Sequence, residues 1–149
     1  MNPQNGYDVE DLAVGMTAEI AKTITDADIV MFAGVSTDVN AVHMDEEFGK
    51  TTMFGGRIAH GMLSASLLSA VLGNRLPGPG TIYMSQSLRF RAPVRPGDTV
   101  RAKVTVKEVL VDKSRVVLDT ICTVADKVVI DGEATMMATS RKKREAAGK

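Results

Sequence analysis

The sequence holds a single cysteine, Cys122, and no surplus of either charge: eighteen Lys and Arg stand against eighteen Asp and Glu. One thiol excludes an internal disulfide framework and any multi-cysteine zinc site, and it fits a reducing compartment. A formal net charge of zero leaves no global positive field to hold a nucleic acid. No apolar run approaches the ~20 residues that span a bilayer. The opening MNPQNGYDVEDL lacks both the basic and the apolar region of a secretory signal. There is no repeat at a fixed period and no glycine-rich nucleotide fingerprint: Gly78 and Gly80 fall in a Pro-Gly turn ahead of a strand, not a helix. The expectation is a soluble cytoplasmic protein with no nucleic-acid or membrane partner.

What is present suits one domain. The 149 residues are 44% hydrophobic and 24% charged, near the globular averages of about 45–50% and 25%. A chain of this length buries roughly two-thirds of its unfolded surface, so its core needs no staples. A domain over residues 1–140 is expected, entered through a loose arm (1–12) and followed by a solvated basic tail (141–149, RKKREAAGK).

Alternation from Thr17 to Ile24 predicts a first strand, and Thr25 before Asp26-Ala27-Asp28 predicts a capped helix over 26–36. A polar interval, Ser36 to Thr52, follows, with room for a short helix capped by Asp45. The segment HGMLSASLLSAVL, His60 to Leu72, carries no charge on any face. A helix apolar or small all round is expected to be buried all round. Gly73-Asn74 offers it a left-handed stop, and Pro77-Gly78-Pro79-Gly80 a rigid turn. Beyond it the period becomes two: Ile82–Phe90, Val100–Val106, Arg115–Val124 and Val128–Thr139 read as four strands in an antiparallel meander. The fold class expected is α+β, a sheet wrapped around the apolar helix.

Only two histidines occur, and both lie where the chain carries chemistry. Asp38-Val39-Asn40-Ala41-Val42-His43 puts a carboxylate, a carboxamide and an imidazole within six residues. Asp38 and His43 can hold one water between them, and Asn40 can close an Asx turn that aims both the same way. On spacing alone they serve equally as a capping aspartate and a surface histidine. His60-Gly61 opens the apolar helix, whose first amides have no intrahelical partner and carry the positive end of the dipole. With no Cβ at Gly61, a carbonyl oxygen can approach that backbone and be polarised there, although a glycine chosen for close packing reads the same. His43, His60, Asp38 and Asp45 lack a His-x3-His or cysteine pair to anchor a metal, and none is expected. Cys122 reads as a small core residue, and Ser69 as a helix serine bonded to a carbonyl one turn back.

Taken together, the Asp38–His43 motif, Ile58-Ala59-His60-Gly61-Met62-Leu63, Leu76-Pro77-Gly78, Ser85-Gln86-Ser87-Leu88-Arg89-Phe90, Pro93-Val94, Asp98 and Val100 resemble the MaoC-like (R)-specific enoyl-CoA hydratases and dehydratases. The resemblance runs over roughly residues 25 to 140 in order and spacing. It implies a hot-dog fold, a curved antiparallel sheet around a buried central helix. It implies that Asp38 and His43 are the catalytic pair, that the Gly61 N–H binds the thioester oxygen, and that Asn40 and Ser69 shape the site. The implied reaction is reversible addition of water to a trans-2-enoyl thioester of CoA or acyl-carrier protein, without metal or organic cofactor, in a homodimer. A thioesterase on the same fold and a non-catalytic acyl-CoA binding module are the alternatives. Two positions depart from the family pattern: Thr37 stands where Gly often precedes the aspartate, and Ala41 where Pro commonly follows the asparagine.

Overall fold

The computed structural model describes residues 1–148. Strand β1 (Thr17–Thr23) leads into α1 (Asp26–Ser36), whose start is a reciprocal capping box between Thr25 and Asp28. Two short helices follow, α2 (Ala41–Met44) and α3 (Glu46–Lys50), capped by the side chains of Asn40 and Asp45. The apolar segment forms α4 (Gly61–Asn74). Then come β2 (Ile82–Phe90), β3 (Thr99–Leu110), β4 (Arg115–Val124), β5 (Lys127–Met137) and a last helix, α5 (Arg141–Ala147).

The five strands form one antiparallel sheet in the order β1-β3-β4-β5-β2. Its concave face supplies Val100, Ala102, Val104 and Val106 from β3 and Val116, Leu118 and Cys122 from β4, all buried against α4. From the helix, Leu63, Ser64, Ala65, Leu67, Leu68, Val71 and Leu72 meet them. Register shifts at Tyr83/Ser85, Val106/Glu108 and Cys122/Thr123 each insert an unpaired residue, which bends and twists a sheet. This is the curved sheet around a helix that the period-two strands and the uncharged segment predict.

Four details differ from expectation. First, β3, β4 and β5 are a meander but β2 is not its first member: it pairs with β5 on the opposite edge. The 91–98 link cannot hairpin back, because Pro93 and Pro96 donate nothing to a ladder and Val94 is buried, its carbonyl taking the Ala59 N–H at 2.7 Å. Second, α4 is not covered all round. Met62, Ser66 and Ser69 form an exposed stripe at helical spacing, and β2 beside it is largely open. Third, Gly73-Asn74 does not stop the helix in a left-handed turn; the helix runs through both and ends at Arg75.

Fourth, neither terminus is loose. Asp8 and Val9 are fully buried, and the Asn2 amide donates to the Pro79 carbonyl and to Thr139 Oγ1. Residues 141–147 are exposed yet helical, and Arg144 clasps Asp8 with two bonds of 2.6 and 2.8 Å. Arg141 pairs with Asp11. Ser140 and the Arg141 and Lys142 amides bind Glu10. A basic run reads as solvated only while its acidic partners, 130 residues away, go unnoticed. Lys149, the last residue of the expected tail, lies outside the described residues.

The Arg144 bonds, with help from Thr139, hold the Asp8 carboxyl down at about 2 against the opposing effect of burial. At Glu10 burial likewise raises the carboxyl, but the bonds from Ser140 and the two amides outweigh it and leave the group at about 2. A group depressed in the folded state contributes stability that is complete above the ordinary carboxylate range and lost as pH falls through its folded value. The melting temperature should therefore drop between about pH 4 and pH 2 as the clasp protonates. Arg144→Gln should lower the neutral-pH value and flatten part of that acid slope; an unchanged slope would show that the clasp adds no pH-dependent stability.

Candidate active site

The end of α1 sets the site. Thr37 terminates that helix in the left-handed region at φ 64°, where a β-branched residue is strained and glycine is not. That is the physical sense of the glycine often found there in the family pattern. The chain then folds on short bonds: the Asp38 N–H donates to Ser36 Oγ at 3.1 Å, and the Asn40 N–H to Asp38 Oδ1 at 3.2 Å. Asn40 in turn accepts from the Val42 N–H at 3.3 Å, which starts α2 and carries His43 one turn on. The Asx geometry expected of Asn40 thus becomes a helix cap.

Ala41, the first residue of α2, has a backbone N–H for which no acceptor exists among the described residues. Asn40 before it is already extended, at φ −54° and ψ 131°, the conformation a following proline demands. Ala41→Pro should therefore stabilise the protein by about 0.4–1 kcal/mol, raising the melting temperature by roughly 1–4 °C. A lower melting temperature would mean that the loop does not hold this backbone.

His43 is oriented from behind. Its Nδ1 lies 2.8 Å from the Ile58 carbonyl, to which it must donate. That bond fixes the neutral tautomer and leaves Nε2 as a bare acceptor, 4.0 Å from Asp38 Oδ2. The gap is too wide for a direct bond and suits one water. An oxygen at ~2.8 Å from both atoms would see them at roughly a right angle. His43 is mostly covered, with 12% of its side chain exposed, whereas Asp38 keeps 51%.

Opposite them, His60 caps α4 through its backbone and Gly61 opens the helix. Among the described residues no acceptor takes the Gly61 N–H. The helix's positive end therefore faces a cavity of about 470 Å³ that Asp38, His43, Phe54, Gly61, Ser64 and Phe90 help to line. Close packing also explains the glycine: a Cβ at Gly61 would lie 2.5 Å from the Phe90 ring. The space freed by glycine is filled by Phe90, so the amide is reached from the cavity side and not through the missing side chain.

Asp38, His43 and Gly61 all line the cavity, while Asn40 is not in its lining and caps α2 between the first two. Ser69, expected to shape the site, is exposed and outside the cavity, and its side chain has no hydrogen bond among the described residues. Ser64 is the serine that lines the cavity, buried and with its Oγ unpartnered. The two stand five residues apart, about 140° round the helix, so only one can face the site. Helical spacing from Gly61 finds Ser64, one turn on. Spacing also passes over His60 and Phe90, each in contact with a residue it does find.

Cys122 is inert, its thiol pushed up to about 12 by burial. Three potential metal-ligand atoms, from Asp38, His43 and His60, lie within 4.8 Å of one another, while Asp45 is occupied capping α3. The two imidazoles stack with planes 30° apart, and His60 Nε2 is already committed to the Asp38 carbonyl. Of the basic residues, Arg57 is engaged by Asp26 and Glu46, and Arg91, at the cavity, by Asp131.

A curved antiparallel sheet closed over one helix, with an acid and an imidazole facing that helix's free amide, defines a hot-dog protein equipped to place a water beside a polarised carbonyl. The chain belongs to the MaoC-like domain family, whose description matches residues 12–132. It is 58% identical over 132 residues to an (R)-specific enoyl-CoA hydratase of Rhodospirillum rubrum, covering 89% of this chain and 92% of that one. It is 51% identical over 137 residues to a 3-hydroxybutyryl-CoA dehydratase of Methylorubrum extorquens, covering 92% and 86%. Among solved structures it resembles the unliganded R-hydratase PhaJ1 of Pseudomonas aeruginosa, with a TM-score of 0.86, 45% identity and 91% and 88% of the two chains covered.

Proposed function

We propose that the protein adds water reversibly to trans-2-enoyl-CoA, or a related acyl thioester, to give the (R)-3-hydroxyacyl thioester. The observation that carries this reading is the 4.0 Å gap between Asp38 Oδ2 and His43 Nε2 facing an uncommitted helix amide. The high identity to an (R)-specific hydratase over most of both chains supports it.

A thioester carbonyl makes C3 electrophilic, and the Gly61 N–H stabilises the enolate-like oxygen that develops as C3 is attacked. One such donor contributes about 2.7–4 kcal/mol. Asp38 and His43 hold the water. One member of the pair takes its proton as the C–O bond to C3 forms, and a proton returns from the pair to C2, so H and OH add from the same side. Proton transfer of this kind supplies roughly 10²–10⁴ in rate. Each step uses only protein groups and the substrate water.

Crotonyl-CoA tests the reading. The enoyl-thioester absorbance should fall, no free CoA thiol should appear, and the product should be the (R)-isomer. Thiol release would make the protein a thioesterase instead, and binding without turnover would make it a carrier of acyl-CoA.

The working unit is proposed to be a homodimer. The open edge strand β2 leaves Tyr83 and Phe90 exposed on its α4-facing side, and α4 itself leaves Met62, Ser66 and Ser69 exposed, surfaces that a second copy would cover. Among the described residues no helix is long and apolar enough to cross a membrane. The lone buried thiol fits the cytoplasmic setting proposed here.

A further inference from the structure

His60 is buried at 2% exposure and has no role in the steps above, yet it touches both members of the pair. Its Nε2 lies 2.8 Å from the main-chain carbonyl of Asp38 and must donate to it. Its ring stacks on His43 with centroids 4.0 Å apart and packs against Phe32 at 4.9 Å on a tilt. Its Nδ1 is buried and without a partner. A buried imidazole nitrogen with no partner is tolerable as a bare lone pair but not as an N–H, so the hydrogen of this ring sits on Nε2.

The Asp38 contact stands out because the other bonds to that residue are local. Ser36 and Asn40 are each two residues away, whereas His60 is 22 residues away and fixed at the head of the core helix. A carboxylate that is half exposed on a loop gains its position relative to α4 through this one bond. His43 gains an aromatic face on which a positive charge is favourable.

We infer that His60 is a positioning residue that registers the Asp38 carboxylate against the Gly61 amide through its Nε2–H and supports the imidazolium form of His43 through its ring face. The kinetic part of this inference rests on the hydratase reading; the ring-stacking part does not.

Three substitutions separate the two jobs. In H60Q the amide nitrogen can stand where Nε2 stood, but the ring is lost. H60F keeps a ring and loses the donor. H60N places its amide where Nδ1 stood, out of reach of the Asp38 carbonyl. With crotonyl-CoA, H60F and H60N should each lose roughly ten- to hundredfold in kcat with KM little changed, and H60Q should recover most of it. Equal kcat in all three, or a loss in H60Q as deep as in H60N, would overturn the positioning role. Should H60F not fold, H60Q against H60N still decides it.

The second readout needs no substrate. The chain has two histidines, so in every His60 variant of the untagged protein His43 gives the only imidazole signal in an NMR titration. The charged groups facing His43 are Asp38, at 4.0 Å, and Arg57, which donates to the His43 carbonyl at 3.4 Å and is itself paired with Asp26 and Glu46. H60F and H60N both lose the donor that holds Asp38, so this pair differs toward His43 in the ring alone. Losing the ring should move the His43 midpoint about half a pH unit lower in H60N than in H60F. Equal midpoints would overturn the stacking role. A parent protein that hydrates nothing would instead sink the hydratase reading and leave this titration standing.

Discussion

Asp38→Asn should lower the hydration rate by roughly a thousandfold, equivalent to about 4 kcal/mol of transition-state stabilisation, while KM for crotonyl-CoA moves only a few-fold. The substitution keeps size and shape. An Asn oxygen can still accept the Asn40 N–H that Asp38 Oδ1 accepts at 3.2 Å, so the loop should survive. What disappears is one of the pair's two proton-exchanging groups: a carboxamide neither takes nor gives a proton near neutral pH. KM should be spared because, in the proposed mechanism, the Gly61 amide on the other wall of the cavity meets the thioester oxygen. Steady-state absorbance kinetics, with a melting curve as control, check this. Turnover at the parent rate would remove Asp38 from the reaction altogether.

Gly132→Ala should be the most damaging small change to the fold, costing roughly 3 kcal/mol and about 10 °C in melting temperature. A Cβ there would lie 1.8 Å from the Ser87 carbonyl oxygen and 2.8 Å from its carbon, both main chain, so no rotamer change relieves it. Strands β2 and β5 would have to part where Leu88 pairs with Gly132. Phe90, two residues along β2, is the ring packed on Gly61, so activity should fall along with stability. A melting temperature within 2–3 °C of the parent, a shift worth only about 1 kcal/mol, would show that the strands separate easily.

Local signals made much of this molecule readable in sequence. The capping box at Thr25, the uncharged stretch that becomes α4 and the alternation in β3 and β4 each depend on residues a turn or a strand apart. The Asp38–His43 motif was legible for the same reason, since its geometry is set by an Asx bond and one helical turn. Long-range choices were not. Nothing within Ile82–Phe90 says that it pairs with β5 and not β3. That is decided by two prolines and a buried valine in the next segment. Asp8 and Arg144 look like ordinary charges until the fold places them together. Ser69 and Ser64 are alike in composition, and only the rotational phase of α4 relative to the sheet separates them.

In the proposed mechanism the thioester contact comes from main chain. Alanine scanning around the cavity would therefore report Gly61 as a matter of bulk against Phe90, and the donor itself would survive every exchange except proline. Exposing its energetic share calls for backbone chemistry, an amide-to-ester replacement at that one link, which removes the hydrogen and leaves all the side chains untouched.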